Sequence, residues 1–166
     1  MSLIVETGAG LSTAQSYIIV ADADAYFLAR AETSWGLALT AAKEAALVRG
    51  TAALDAMFIW SGVRYLSTQA LAWPRLDVYD SDGYQLTGIP QRLKNANAEA
   101  ALIELGSAGA LAASLARGGM IKRKTVGPLT TEYYDGAPSG TTYPSIRNAL
   151  RGIIPEGGGI QIRRVS

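Results

Sequence analysis

Two alanine-rich stretches constrain this chain more than any other feature. Residues 40–60, TAAKEAALVRGTAALDAMFIW, place Leu47, Leu54, Met57 and Phe58 at i, i+7, i+10 and i+11, on one face of a helix. Thr40 is positioned to cap it, and Glu44 sits early, where the helix dipole favours a carboxylate. Lys43 falls near the apolar face, at its solvent end. Gly50 gives up about 1 kcal/mol of helix propensity relative to alanine, which close packing against another helix would offset. The second stretch spans residues 90–106. Pro90 takes the first helical position, where a missing N–H does no harm, and Gly106 ends the run. Leu93, Ala96, Ala100 and Ile103 form a stripe of mostly small residues that suits close helix–helix contact. The expected fold is mainly α: a small helical bundle with a short β-hairpin and an extended C-terminal tail.

The other elements follow from local chemistry. Residues 1–21 read as extended, with Tyr17, Ile18, Ile19 and Val20 supporting a short strand. Asp22 or Asp24 reads as the N-cap of a helix over residues 25–31. Phe58 and Trp60 read as core. Residues 61–89 make a long connector, with one helical turn at residues 67–71 and Pro74 barring a helix through Trp73. Connectors of this length are functional or partly structured. Residues 108–116 suit a short helix. Residues 120–126 and 129–134, joined by Gly127 and Pro128, suit a two-stranded hairpin. Pro144 opens a last helix over residues 145–153, stopped by Pro155. The chain thus divides into a helical domain, residues 1–153, with a hairpin at about residues 120–134, and a docking tail, residues 154–166, hinged at Gly157, Gly158 and Gly159.

Composition excludes most catalytic chemistry. There is no cysteine and no histidine, so thiolate nucleophiles, disulfides, iron–sulfur clusters and imidazole relays or ligands are ruled out. Asp77, Asp80 and Asp82 before Gly83 fail the EF-hand register, which would put Val78 at position one and Ile89 at position twelve; they read as an Asx-rich turn. The segment Gly8, Ala9, Gly10, Leu11 lacks the third glycine of a dinucleotide loop and the lysine of a phosphate loop. The carboxylates are scattered, with no spacing that suggests a hydrolytic pair. The chain is therefore expected not to be an enzyme and to need no cofactor or metal. No apolar run approaches the roughly 20 residues of a membrane span, so no membrane partner is expected, and the N-terminus lacks a secretory pattern. The expected compartment is the cytosol, or an assembly put together there.

With a net charge of +1, attraction to nucleic acid must come from local clusters. Arg117, Lys122, Arg123 and Lys124 carry four positive charges within eight positions. They suit phosphate contact or, equally, a charged ribbon edge protected from pairing. Tyr133 and Tyr134 lie near them, and aromatics among basic residues can stack on unpaired bases or simply pack. In the tail, Ile160, Ile162 and Val165 alternate with Gln161 and Arg163, and Arg164 adds charge. Such a strip has little of its own to bury against and suits addition as a strand to a partner's sheet.

Several short elements resemble one family of tailed-phage proteins. They are Tyr17 and Ile18; Asp22, Ala23, Asp24, Ala25 and Tyr26; the run from Ala42 through Lys43, Glu44 and Leu47 to Arg49; Ala70, Leu71, Ala72, Trp73, Pro74 and Arg75; Ile89 and Pro90; Gly127, Pro128 and Leu129; Asp135, Gly136, Ala137 and Pro138; and Tyr143 and Pro144. Together they look like proteins labelled "putative DnaT-like single-stranded DNA-binding protein", similar in turn to head–tail connector adaptors, or head-completion proteins. The resemblance covers about residues 17–150. It implies a structural virion protein at the head–tail interface, assembled in the host cytoplasm. Such a protein forms a ring of about twelve copies between the portal and a tail-side connector or tail-terminator protein, around the DNA channel. In that ring Lys122, Arg123, Lys124, Tyr133 and Tyr134 would face packaged DNA, non-specifically, or a neighbouring subunit. Ile160, Ile162, Arg163, Arg164 and Val165 would dock on the portal or an adjacent chain. The alternative is a single-stranded DNA-binding protein using the same basic, tyrosine-rich ribbon.

Overall fold

The structure is a computed structural model. It describes residues 2–80, 82–112 and 143–154, and the backbone of residues 124–126 and 129–131. Five helices lie among these residues: α1 (Val20–Leu28), α2 (Thr33–Gly36), α3 (Thr40–Met57), α4 (Gln91–Gly106) and α5 (Pro144–Ala149). Two antiparallel pairs accompany them, β1 (Val63–Arg64) with β2 (Arg75–Leu76), and β3 (Lys124–Val126) with β4 (Leu129–Thr131). The mainly helical fold with a small hairpin is as expected from the sequence.

The core is the antiparallel pair α3 and α4: Arg49 meets Glu104 while Thr51 meets Asn97. Small side chains set its closeness. A Cβ on Gly50 would lie 2.9 Å from the Ala101 nitrogen and 3.2 Å from the Ala100 carbonyl carbon, so backbone rather than a movable side chain fills that space. On one side of the pair, Ile18, Phe27, Trp35, Leu47 and Ala101 form one buried cluster. On the other, Tyr17, Leu54, Trp60, Trp73, Leu93 and α5's Ile146, with Leu150 and Ile153, form a second. Asn97, fully buried, ties the two together. Its Oδ1 accepts the Tyr17 N–H at 3.1 Å and lies 3.0 and 2.9 Å from the Ser16 and Thr51 hydroxyls, while its Nδ2 donates to the Leu47 carbonyl.

Several boundaries differ from the sequence reading. α1 begins at Val20, with Ile19 as its cap, so no strand runs through Tyr17 to Val20, and Asp22 and Asp24 lie inside the helix. Asp24 is spent elsewhere: one oxygen accepts the Trp35 indole N–H at 2.7 Å and the Lys43 ammonium at 2.9 Å. Lys43 is therefore buried, not at a solvent end, because α1 and α2 cover that end of α3. Leu39, not Thr40, caps α3. That helix stops at Met57 because Phe58 is extended, which leaves Met57 partly exposed while Trp60 is buried as expected. Pro90 is the cap of α4 and not its first residue. α5 is shorter than residues 145–153, since Gly152 takes a φ of 85°, although Leu150 and Ile153 still pack inward.

Residues 108–112, the described part of the expected helix at 108–116, form turns and bends. Glu104 explains this. Its buried carboxylate accepts the N–H groups of Gly109 at 2.6 Å and Leu111 at 2.9 Å, so those donors fold back over the end of α4. Burial alone would raise the Glu104 pKa, but the Leu111 and Gly109 N–H groups and the Arg49 guanidinium outweigh it and hold the carboxyl below its ordinary value. A depressed acid pKa stabilises the fold above the unfolded value and loses that contribution as pH falls through the folded value. Glu104→Gln should therefore lower the melting temperature at neutral pH. It should also flatten the fall that wild type shows below the 4.5 of an ordinary glutamate. Thermal melts across that range check both.

Candidate nucleic-acid interface

The connector between α3 and α4 is built around a polar keystone. The Tyr17 hydroxyl donates to Asp55 Oδ1 at 2.6 Å, and the Ala72 N–H donates to Asp55 Oδ2 at 2.8 Å. The Trp73 N–H in turn donates to the Tyr17 oxygen at 3.2 Å. Burial, then the Asp55 charge, push the Tyr17 hydroxyl far above the ordinary phenol range, so it stays a donor. Burial raises Asp55, against the hydrogen bonds from Tyr17 and Ala72. The Trp73–Pro74 peptide is cis, and the Trp60 and Trp73 rings meet edge to face at 6.2 Å.

Arg75 closes the other side. Its guanidinium donates to the carbonyls of Ser61 at 2.6 Å, Gly62 at 2.7 Å, Ala72 at 3.1 Å and Trp60 at 3.4 Å. Burial, and then the neighbouring Arg64 charge, lower its pKa. Gly62 takes a φ of 70°, and a Cβ there would fall 2.1 Å from the Leu76 carbonyl oxygen, so only glycine lets the two strands meet at this point. The segment read as a loop is thus pinned at both strands, and residues 67–71 form a turn held by Gln69, not a helical turn.

This scaffold presents aromatic surface. In the β1–β2 register Val63 faces Leu76 and Arg64 faces Arg75. Alternation places Val63, Tyr65 and Leu76 on one side and the two arginines on the other. Beyond a φ of 56° at Asp77 the chain turns again, with Tyr79 opposite Gln85 and the Leu86 N–H bonded to the Val78 carbonyl. Asp80 Oδ1 accepts the N–H groups of Asp82 and Tyr84, the expected Asx turn. Among the described residues no group of three or more acidic, histidine or cysteine side chains could hold a metal. Tyr65, Tyr79 and Tyr84 are 47%, 54% and 73% exposed along this ribbon.

Of the residues singled out in the sequence, Lys124 opens β3 opposite Thr131. Lys122, Arg123, Tyr133 and Tyr134, and the tail residues Ile160, Ile162, Arg163, Arg164 and Val165, lie outside the described residues. The glycine loop at Gly8 carries its own anion: the buried Glu6 carboxylate accepts the N–H groups of Gly8, Gly10 and Leu11. Sequence reasoning missed the three connector tyrosines. The available signal was their place in a connector too long to be idle.

A family model described as "Putative DnaT-like ssDNA binding protein" matches residues 1–165. No curated protein and no solved structure matches the chain. Of the two readings drawn from the sequence, the family description names the single-stranded DNA one.

Proposed function

This chain belongs to the "Putative DnaT-like ssDNA binding protein" family, and we propose that it binds single-stranded DNA without sequence preference, as a binding protein and not an enzyme. The observation that carries this reading is the exposure of Tyr65, Tyr79 and Tyr84 on a connector pinned by Arg75. Every base has a π-face, so stacking on exposed rings is sequence-tolerant. The connector itself holds Arg64 and Arg75 against Asp77, Asp80 and Asp82, so it supplies stacking and little net attraction. Phosphate contact falls to Arg64 and to the basic ribbon of Lys122, Arg123 and Lys124, with Tyr133 and Tyr134 beside it in the sequence. Neutralising three or four phosphates gives a slope of log K against log salt of roughly −2 to −3 on a single strand. A filter-binding titration of the purified protein with an unstructured oligonucleotide measures it. Absence of binding, or a slope near zero, would count against the reading.

A second reading, the ring-forming head–tail connector in a virion, is favoured by a different observation. Leu28 at the end of α1, and Leu37 and Leu39 between α2 and α3, are all about four-fifths exposed. Three large apolar side chains exposed within twelve residues suit contact with other subunits if they form one patch. The portal, a tail-side protein and a ring of about twelve copies would be the partners, with DNA passing non-specifically through the lumen.

A further inference from the structure

We propose that the groove between the N-terminal segment and the first half of α3 receives the C-terminal segment, residues 160–165, of a second copy of this chain. The groove encloses about 410 Å³, with Leu3 and Gln15 on one wall and Ala41, Ala45 and Val48 on the other, and Glu44 beside them. Three observations select this occupant.

The first is an open backbone edge. Val5 bridges Ser16 in parallel fashion, through the Glu6 N–H to the Ser16 carbonyl at 2.9 Å and the Gln15 N–H to the Ile4 carbonyl at 2.7 Å. The Val5 N–H and C=O point away from that partner, and no hydrogen bond joins them to any other described residue. Val5 does not line the groove, but it follows Leu3 of the groove wall by two residues, so a strand that continues past that wall satisfies this edge.

The second is chemical fit. In an extended strand Ile160 and Ile162 share one side, which matches the Leu3, Ala45 and Val48 walls. Arg163 and Arg164 then follow. Glu44 forms no ion pair among the described residues, whereas Arg49 at the groove's end is already held by Glu104.

The third is reach. The described chain arrives at Ile154 near the start of α4, where the Arg92 guanidinium donates to the Arg151 carbonyl. The groove begins beside Arg49, which bonds Glu104 near the other end of α4. That stretch of helix measures about 18 Å, and the groove continues about 12 Å further along α3 to Ala41. From Ile154 to Ile160 the chain spans at most about 20 Å. A chain's own tail reaches the groove only if residues 154–160 are fully extended along a straight path, with nothing left to follow the protein surface. The tail of a second copy is under no such constraint. Made once, the contact leaves one groove and one tail free, so it propagates to a ring or filament or closes a pair by reciprocal exchange of tails.

Light scattering on size-exclusion fractions tests this with the full chain, Ala45→Glu in the exposed groove wall, and Ile162→Asp in the tail. Wild type is expected to associate, to a pair or beyond, as concentration rises. Each variant alone should associate about tenfold more weakly or worse. Mixed in equal amounts, the two should form a one-to-one heterodimer, because one contributes an intact groove and the other an intact tail. Glu44→Arg, which leaves the apolar packing alone, should weaken assembly too and serves if Ala45→Glu lowers the melting temperature. Wild type that stays monomeric at every concentration overturns the proposal, as its own docked tail would. So do variants that assemble like wild type, and a mixture of folded variants that stays monomeric.

Discussion

Replacing Asn97 with leucine should destabilise the fold by about 3 kcal/mol, although the substitution adds apolar surface to an alanine-rich helix. The Tyr17 backbone N–H can only donate, so the oxygen of Asn97 must face it. Leucine leaves that buried donor unsatisfied, which by itself costs about 1–3 kcal/mol. The two hydroxyls have alternatives: Ser16 lies 2.9 Å from the Ile18 carbonyl and Thr51 lies 2.8 Å from the Leu47 carbonyl. They can rotate, but they then pack against methyl groups in a space shaped for an amide. The Leu47 carbonyl also loses the Asn97 Nδ2 donor. Because the residue joins the N-terminal segment to both long helices, the loss should appear as a lower midpoint of cooperative unfolding in urea. A midpoint equal to that of wild type would show that Asn97 is not the tie described.

Arg75→Ala should have a comparable effect, about 2–4 kcal/mol, but a different distribution. Hydrogen bonds from a charged donor contribute about 1.5–3 kcal/mol each, and Arg75 makes four, to carbonyls of residues 60, 61, 62 and 72. These bonds hold the connector, while α3 and α4 keep their own packing. Amide exchange should therefore accelerate most within residues 61–89, and oligonucleotide affinity should fall with it. Arg75→Lys should recover only a minor part, because an ammonium cannot match the planar fork that reaches several carbonyls at once. Uniform acceleration across α3 and α4 would mean that the arginine supports the whole core and not the ribbon.

How far the sequence could be read depended on whether a residue's partner was local. The stripe of Leu93, Ala96 and Ala100 and the glycine at position 50 announced two closely packed helices, and the structure places them so. Asp24 read as a cap because aspartate caps are a local pattern; its true partners, Trp35 and Lys43, are 11 and 19 residues away. Lys43 read as solvated for the same reason. Asn97 gave no signal at all, since a polar residue in such a helix suggests the wet side, and its Ser16 and Tyr17 partners lie about 80 residues off. The connector was recognised by length, but its ribbon rests on Arg75 reaching back 13 to 15 residues to backbone carbonyls, which no side-chain pattern reports. Of the binding residues proposed from sequence, Lys124 alone falls on a described strand, while the tyrosines that stand exposed were not among them.

On this reading unpaired bases stack on the connector tyrosines. Fluorescence anisotropy of a labelled oligothymidine, with wild type and with the Tyr79→Ala, Tyr84→Ala double variant at several salt concentrations, tests it most directly. Stacking contributes about 1–3 kcal/mol per base, so the double variant should bind at least about tenfold more weakly. Its salt slope should be unchanged, because tyrosine releases no counterions. A folded double variant that binds as tightly as wild type, or a wild type that does not bind at all, would contradict the claim.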